Sequence, residues 1–207
     1  KYPICQHKTA LTILRMYVTL CRHMDKVQIA QFVRGLITEI GEDTGREGLR
    51  ETPQRVAKSF EKLFEGYGKD PKDLITVFDN EGYSEMVVAR DIDFYSLCEH
   101  HMLPFYGKVY VGYVPENKII GLSKIPRLVE MYSRRLQNQE RLTKQVAETL
   151  NEMLHPKGVG IVIDAEHMCM KLRGVEKQNC KISTSTFRGL FLNDPRTRNE
   201  FLRLIRL

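Results

Sequence analysis

A chain of 207 residues with 42% hydrophobic and 28% charged side chains can bury a core of its own. That composition excludes collagen-like, low-complexity and intrinsically disordered classes. The 32 Lys and Arg against 26 Asp and Glu leave a formal net charge of +6, which suits an anionic ligand, but the basic residues are scattered rather than striped as in a nucleic-acid footprint.

The chain opens on Lys rather than Met, which reads as a trimmed N-terminus. Residues 9–21 (TALTILRMYVTLC) are its longest apolar stretch, interrupted by Arg15. They fall short of the roughly 18 residues of a membrane span, and no small-residue cleavage site follows. An amphipathic helix fits them better than a signal peptide.

A second helix is expected over 25–40, with Asp25 as N-cap and Gln28 completing a capping box. Its apolar stripe is Ile29, Phe32, Val33, Leu36, Ile37 and Ile40, and Gly41 is a C-terminal stop. After a polar loop, Thr52-Pro53 opens a third helix, with Thr as N-cap and Val56, Phe60, Leu63 and Phe64 facing inward. From about residue 84 the period changes towards two. Residues 85–98 and 106–114 read as strands, and 118–121 as a short return strand. Ser123 then caps a helix to about Leu136, and Asn138 caps another over 139–154. Strands follow at 158–173 and 180–188, and Asn193 or Asp194, before Pro195, opens a terminal helix.

Helices, strands, a helix pair, strands and a helix, with no βαβ alternation, predict an α+β fold on an antiparallel sheet. An N-terminal helical region (1–80) precedes a sheet-bearing region (81–207).

Five cysteines, Cys5, Cys21, Cys98, Cys169 and Cys180, make an odd and irregularly spaced set. That pattern argues for a reducing, cytoplasmic compartment over a secreted disulfide framework. Cys98-Glu99-His100-His101 is the densest reactive cluster, and Cys98 and His101 are spaced C-x2-H. His167 and Cys169 share one face if the strand continues through them, so they can meet the first cluster across the sheet. A catalytic zinc takes three protein ligands and keeps a position for water, whereas a structural zinc is closed by four. With Cys98, His101 and Cys169 on the metal, His100 and His167 stay free for proton transfer. A structural zinc, or a buried thiol beside hydrogen-bonded histidines, are open alternatives.

Ser123, Lys124 and Arg127 surround a predicted helix N-terminus, a combination that suits phosphate. Neither a P-loop nor G-x-G-x-x-G is present. Gln139-Glu140 starts the next helix, where a carboxylate can accept the paired N1–H and 2-amino hydrogens of guanine.

Five stretches resemble the GTP cyclohydrolase I family: ETPQRVAKSF at 51–60, SLCEHHMLPFYGK at 96–108, GLSKIPRLVEMYSRRLQNQERLT at 121–143, HMCMKLRG at 167–174 and TSTFRG at 184–189. The resemblance covers roughly 25–207. It implies the tunnelling fold, in which small antiparallel sheets from several subunits join into a barrel, with a helix pair packed on the sheet and an N-terminal helical arm. It also implies a homodecamer of two pentamers, with active sites at subunit interfaces. The implied reaction converts GTP and water to 7,8-dihydroneopterin triphosphate and formate, the entry step to folate or tetrahydrobiopterin.

Carried over by position, Cys98, His101 and Cys169 match the zinc ligands, and His100 and His167 the catalytic histidines. Glu140 matches the guanine-holding carboxylate, with Gln139 beside it and Ser123 near the same pocket. Lys124, Arg127 and Arg173 match the triphosphate-binding cations, and Arg55 one offered by a neighbouring subunit. The expected partners are GTP and further copies of the chain, without nucleic acid or membrane. The alternative is a zinc-stabilised basic module that binds nucleic acid, which needs clustered Lys and Arg with interleaved aromatics.

Overall fold

The computed structural model describes residues 24–205. The helix expected over 9–21, with Cys5 and Cys21, lies outside them. The chain divides into two compact units, one ending at Lys62 and one starting at Leu63.

In the first unit, α1 (Lys26–Glu39) starts at its expected N-cap, with Asp25 Oδ1 accepting from the Gln28 amide at 3.0 Å, but the return bond from the Gln28 side chain that would complete a capping box is not made. Of its expected stripe only Ile37 is buried. The expected polar loop contains a single turn of helix, α2 (Glu47–Arg50). In α3 (Thr52–Leu63), Pro53 and Ala57 are the buried residues, and Val56 and Phe60 are half-buried. Thr52 does not cap that helix. Its hydroxyl donates back to the Gly48 carbonyl at 3.2 Å, because the turn of α2 already leads into α3.

The division at 62/63 precedes the expected 80/81 boundary because the intervening residues attach to the second unit. A 3-10 turn at Glu65–Gly68 receives the Arg135 guanidinium on the Gly66 carbonyl, at 3.1 and 2.7 Å. After α4 (Pro71–Leu74), β1 (Val77–Asp79) pairs antiparallel with β4 (Lys118–Ile120). The return strand therefore finds its partner about forty residues upstream rather than on its neighbour.

The main sheet joins β2 (Val87–Cys98), β3 (Pro104–Val114), β6 (Gly158–His167) and β7 (Ile182–Gly189), all antiparallel, with β5 (Leu136–Gln137) parallel to the end of β2. The helix expected to reach Leu136 ends earlier: α5 spans Lys124–Ser133, because Leu136 and Gln137 are drawn into the sheet. Ser123 makes no side-chain cap bond, having helical dihedrals itself. α6 (Gln139–Leu154) is capped as expected, with Asn138 Oδ1 accepting from the Arg141 amide at 2.8 Å.

Strand alternation decides which residues meet the helix pair. Phe94 and Cys98 on β2, Phe105, Val109 and Val111 on β3, and Val159, Ile161 and Ile163 on β6 share one buried face. Against them pack Ile125 and Leu128 of α5 and Leu142, Val146 and Leu150 of α6. Each such side chain contributes about 1.5–3 kcal/mol by burial. The far half of the opposite face is covered by α8 (Leu190–Asn193) and α9 (Pro195–Ile205), through Phe191, Phe201 and Ile205.

β6 ends at His167, and Met168–Lys171 form one helical turn, α7, so the strand expected to run to 173 stops six residues short. No described helix is long and apolar enough to cross a membrane.

β3 and β6 come together closely at Gly107. A methyl group there would lie 1.9 Å from the Asp164 carbonyl oxygen and 2.8 Å from the Ala165 Cα. Backbone cannot yield as a flexible side-chain tip can. Gly107→Ala is expected to lower unfolding stability by about 3 kcal/mol, read as a drop in urea midpoint at unchanged slope.

Candidate metal centre and active site

The β2–β3 hairpin loop, residues 99–103, builds the first half of the site. It is closed by the Cys98 amide donating to Leu103 O at 2.9 Å and the Met102 amide donating to Cys98 O at 2.8 Å. Met102 has φ of 55°, the left-handed region that costs a side-chain-bearing residue about 1 kcal/mol or more. The tight turn lets Cys98, at the strand end, and His101 face the same space.

The second half comes from the end of β6. Cross-strand register sets His167 opposite Phe105, and their rings stack at 4.7 Å with 6° between planes. Cys169 reaches the cluster from α7 rather than along the strand. Ligand atoms of Cys98, His101 and Cys169 all lie within 4.8 Å of one another. The shared face that alternation assigned to His167 and Cys169 is therefore replaced by a helical turn, and the juxtaposition with Cys98 survives it.

This donor set fits a borderline-soft divalent cation. Two thiols and an imidazole, with no carboxylate among the three, suit Zn2+ over Mg2+ or Ca2+. Burial pushes the Cys169 thiol up first, and the neighbouring Cys98 adds to it. A cation bound there would compensate the charge of the Cys169 thiolate. Arg173 Nη1 lies 3.2 Å from His101 Nε2. A guanidinium only donates, so His101 presents a lone pair at that nitrogen.

The proton-transfer candidates flank the cluster. His100 Nδ1 lies 3.6 Å from Cys98 Sγ. Burial depresses the His167 pKa, and the nearby Glu140 partly restores it. Glu140, exposed in the first turn of α6, lines a groove of about 490 Å³ with Thr184, Thr186 and Arg188 of β7. Gln139, one residue earlier, points the other way: it is 2% exposed and bonds His167 Nε2 at 2.8 Å.

The expected phosphate cations are not gathered in one chain. Only Arg173 stands at the cluster. Ile120 donates its amide to the Tyr113 hydroxyl at 3.4 Å, and Tyr113 sits eight residues along β3 from Phe105, about 25 Å away. Ser123, Lys124 and Arg127 begin just after Ile120, so they belong to the opposite end of the sheet. Arg55 is exposed on α3 in the first unit.

One part of the site was invisible in the motifs. Glu99 is gripped by Arg141, Nη1 to Oε2 at 2.6 Å and Nη2 to Oε1 at 2.8 Å, and by Asn138 Nδ2 at 2.9 Å. The Arg141 bonds, followed by that from Asn138, hold the Glu99 carboxyl down to about 2. The Glu99 amide also donates to Gln137 O at 2.9 Å. This clamp ties the start of α6 to the metal-facing loop. Arg141→Met is expected to weaken divalent-metal affinity of the cluster by about 10–100-fold, measured by competition with a chelating dye. Unaltered affinity would show that the loop holds its shape without the clamp.

Comparison with known proteins agrees with this geometry. A family model described as GTP cyclohydrolase I matches residues 29–206. GTP cyclohydrolase 1 of Wolinella succinogenes is 53% identical over 182 residues, 87% of this chain and 97% of that protein. GTP cyclohydrolase 1 of Campylobacter lari is 55% identical over 177 residues, covering 84% and 93%. That of Chlorobaculum tepidum is 56% identical over 175 residues, covering 84% and 78%. A match running from α1 through α9, with relatives more than half identical over most of their length, places the chain in the GTP cyclohydrolase I family, whose tunnelling fold is the α+β architecture seen here.

Proposed function

We propose that this chain converts GTP and water to 7,8-dihydroneopterin triphosphate and formate, with Zn2+ held by Cys98, His101 and Cys169. The observation that carries the reading is the convergence of those three ligands beside His100 and His167. The chemistry a Zn2+ held there would supply is Lewis-acid activation of water near neutral pH.

The chain's own groups account for the remaining steps. Glu140 accepts the N1–H and 2-amino hydrogens of guanine and so fixes the base. His167 protonates N7, which makes C8 electrophilic towards water. The imidazole ring opens, and a second water releases C8 as formate. His100 assists opening of the ribose, and after an Amadori-type rearrangement the pterin ring closes with loss of one water. The net consumption is one water per GTP.

Arg173 meets the triphosphate from the same chain. Lys124, Arg127 and Ser123, about a sheet's length from their own cluster, serve a neighbouring chain's site, and Arg55 does likewise. Such sharing needs neighbouring copies of the chain, which the homodecamer of two pentamers would supply. The free thiols Cys98, Cys169 and Cys180 accord with a cytoplasmic setting. Against the nucleic-acid alternative, exposed cations such as Lys26, Lys108 and Lys118 are paired with Glu61, Asp93 and Asp79.

The test is GTP turnover with and without a zinc chelator, reading oxidised neopterin fluorescence and formate together. Zinc-dependent appearance of both supports the reading. A zinc-loaded, correctly assembled protein that makes neither overturns it.

A further inference from the structure

Gln139 spends both of its side-chain N–H donors inside the fold. Its Nε2 donates to two main-chain carbonyls, Ile163 O at 3.0 Å on β6 and Ile182 O at 2.8 Å on β7. Carbonyls only accept, so the amide can face only one way, with Oε1 turned to His167 Nε2 at 2.8 Å. Turned over, the amide would set its own oxygen against two others. An amide oxygen also only accepts, so the hydrogen in that contact sits on His167 Nε2. A neutral imidazole carries one N–H, which leaves the lone pair on Nδ1. That nitrogen makes no hydrogen bond to any described residue. Phe105, stacked on the ring, fixes its plane.

We propose that Gln139 is a positioning residue that keeps a proton on His167 Nε2, so that Nδ1 is the nitrogen that exchanges the catalytic proton. The transfer half of this rests on the function proposed above: Nδ1 first takes a proton from solvent to give the imidazolium, then the Nδ1–H bond breaks as the guanine N7–H bond forms, and the electron pair returns to Nδ1. Nε2–H is untouched throughout. The lock couples three elements, because one amide at the start of α6 is anchored on two adjacent strands before it reaches the ring.

The experiment uses the full-length, zinc-loaded protein labelled with 15N-histidine. Two-bond 1H–15N spectra assign the protonated nitrogen of each ring. The wild type is expected to show His167 protonated on Nε2. Gln139→Met, of similar length but without an acceptor, is expected to lower kcat on the order of 10²-fold, as a reacting group slips from alignment. GTP affinity should stay within about twofold, because the side chain does not touch substrate. Gln139→Glu keeps an acceptor for Nε2–H but sets its second oxygen against the Ile163 and Ile182 carbonyls, so it should recover none of the loss.

A neutral His167 ring whose single proton sits on Nδ1 in the wild type overturns the proposal. So does a Gln139→Met protein that binds GTP weakly at unchanged kcat, since Gln139 then acts on substrate. If Gln139→Met does not fold, the wild-type tautomer still decides the matter. A wild type that shows the tautomer but makes no neopterin triphosphate defeats the function and the transfer to N7, while the lock stands on its own spectrum.

Discussion

Replacing Cys169 with alanine is expected to strip the protein of zinc and to lower GTP turnover by about 10³-fold or more. Cys169 stands on the single turn of α7, and its sulfur lies within 4.8 Å of the Cys98 and His101 ligand atoms. Removing one of three protein ligands leaves two, too few to retain the ion against dilution. The lost Lewis-acid contribution is several kcal/mol of barrier, which corresponds to that rate factor. The fold should persist, because Cys169 is only half-buried and flanks the core rather than filling it. Elemental analysis after gel filtration checks the metal, and far-ultraviolet circular dichroism checks the fold. Full zinc occupancy in the variant would remove Cys169 from the ligand set.

Glu140→Ala should do the converse: keep the metal and lose the base. A carboxylate receiving two parallel hydrogen bonds in a charge-assisted pair is worth about 1.5–3 kcal/mol, or roughly 10–150-fold in affinity. Glu140 also supplies the influence that raises the His167 pKa against burial. Its removal therefore lets that pKa fall further, and the limb of the pH–rate profile set by His167 moves to lower pH. Equilibrium GTP binding, zinc content and the pH profile together check this. Unchanged GTP affinity would sink the guanine assignment.

Local signals in the sequence were sufficient for some caps and not for others: Thr52 and Ser123, expected on the same grounds, do not cap their helices. Asp25 with Gln28 and Asn138 with Arg141 are caps within one turn, and both are where the side-chain chemistry places them. Alternation placed His167 and Cys169 where they could meet the Cys98 cluster across the sheet, and Cys98, His101 and Cys169 do come together. What else escaped depended on partners far along the chain. β5 exists only because Leu97 and Cys98 offer it an edge, and β1 only because β4 returns to it. α7 is four residues long, too short for any period to show, so HMCMK reads as strand as readily as helix. The grip of Arg141 on Glu99 joins side chains 42 positions apart, and opposite charges in two motifs carry no sign of their pairing. Gln139 was legible as part of the site but not in its role, because that role depends on which carbonyls surround it.

The separation between the Cys98–His101–Cys169 cluster and the Lys124–Arg127 pair has a consequence for inheritance. On the proposed assembly each chain lends cations to one neighbour and takes them from another. A defective chain then spoils a site it does not own as well as its own. In a cell making normal and doubly defective chains in equal amounts, random assortment leaves about a quarter of sites with both halves intact, below the half expected of independent monomers. A protein that divides its catalytic groups between the two ends of one sheet thus makes loss of function partly dominant.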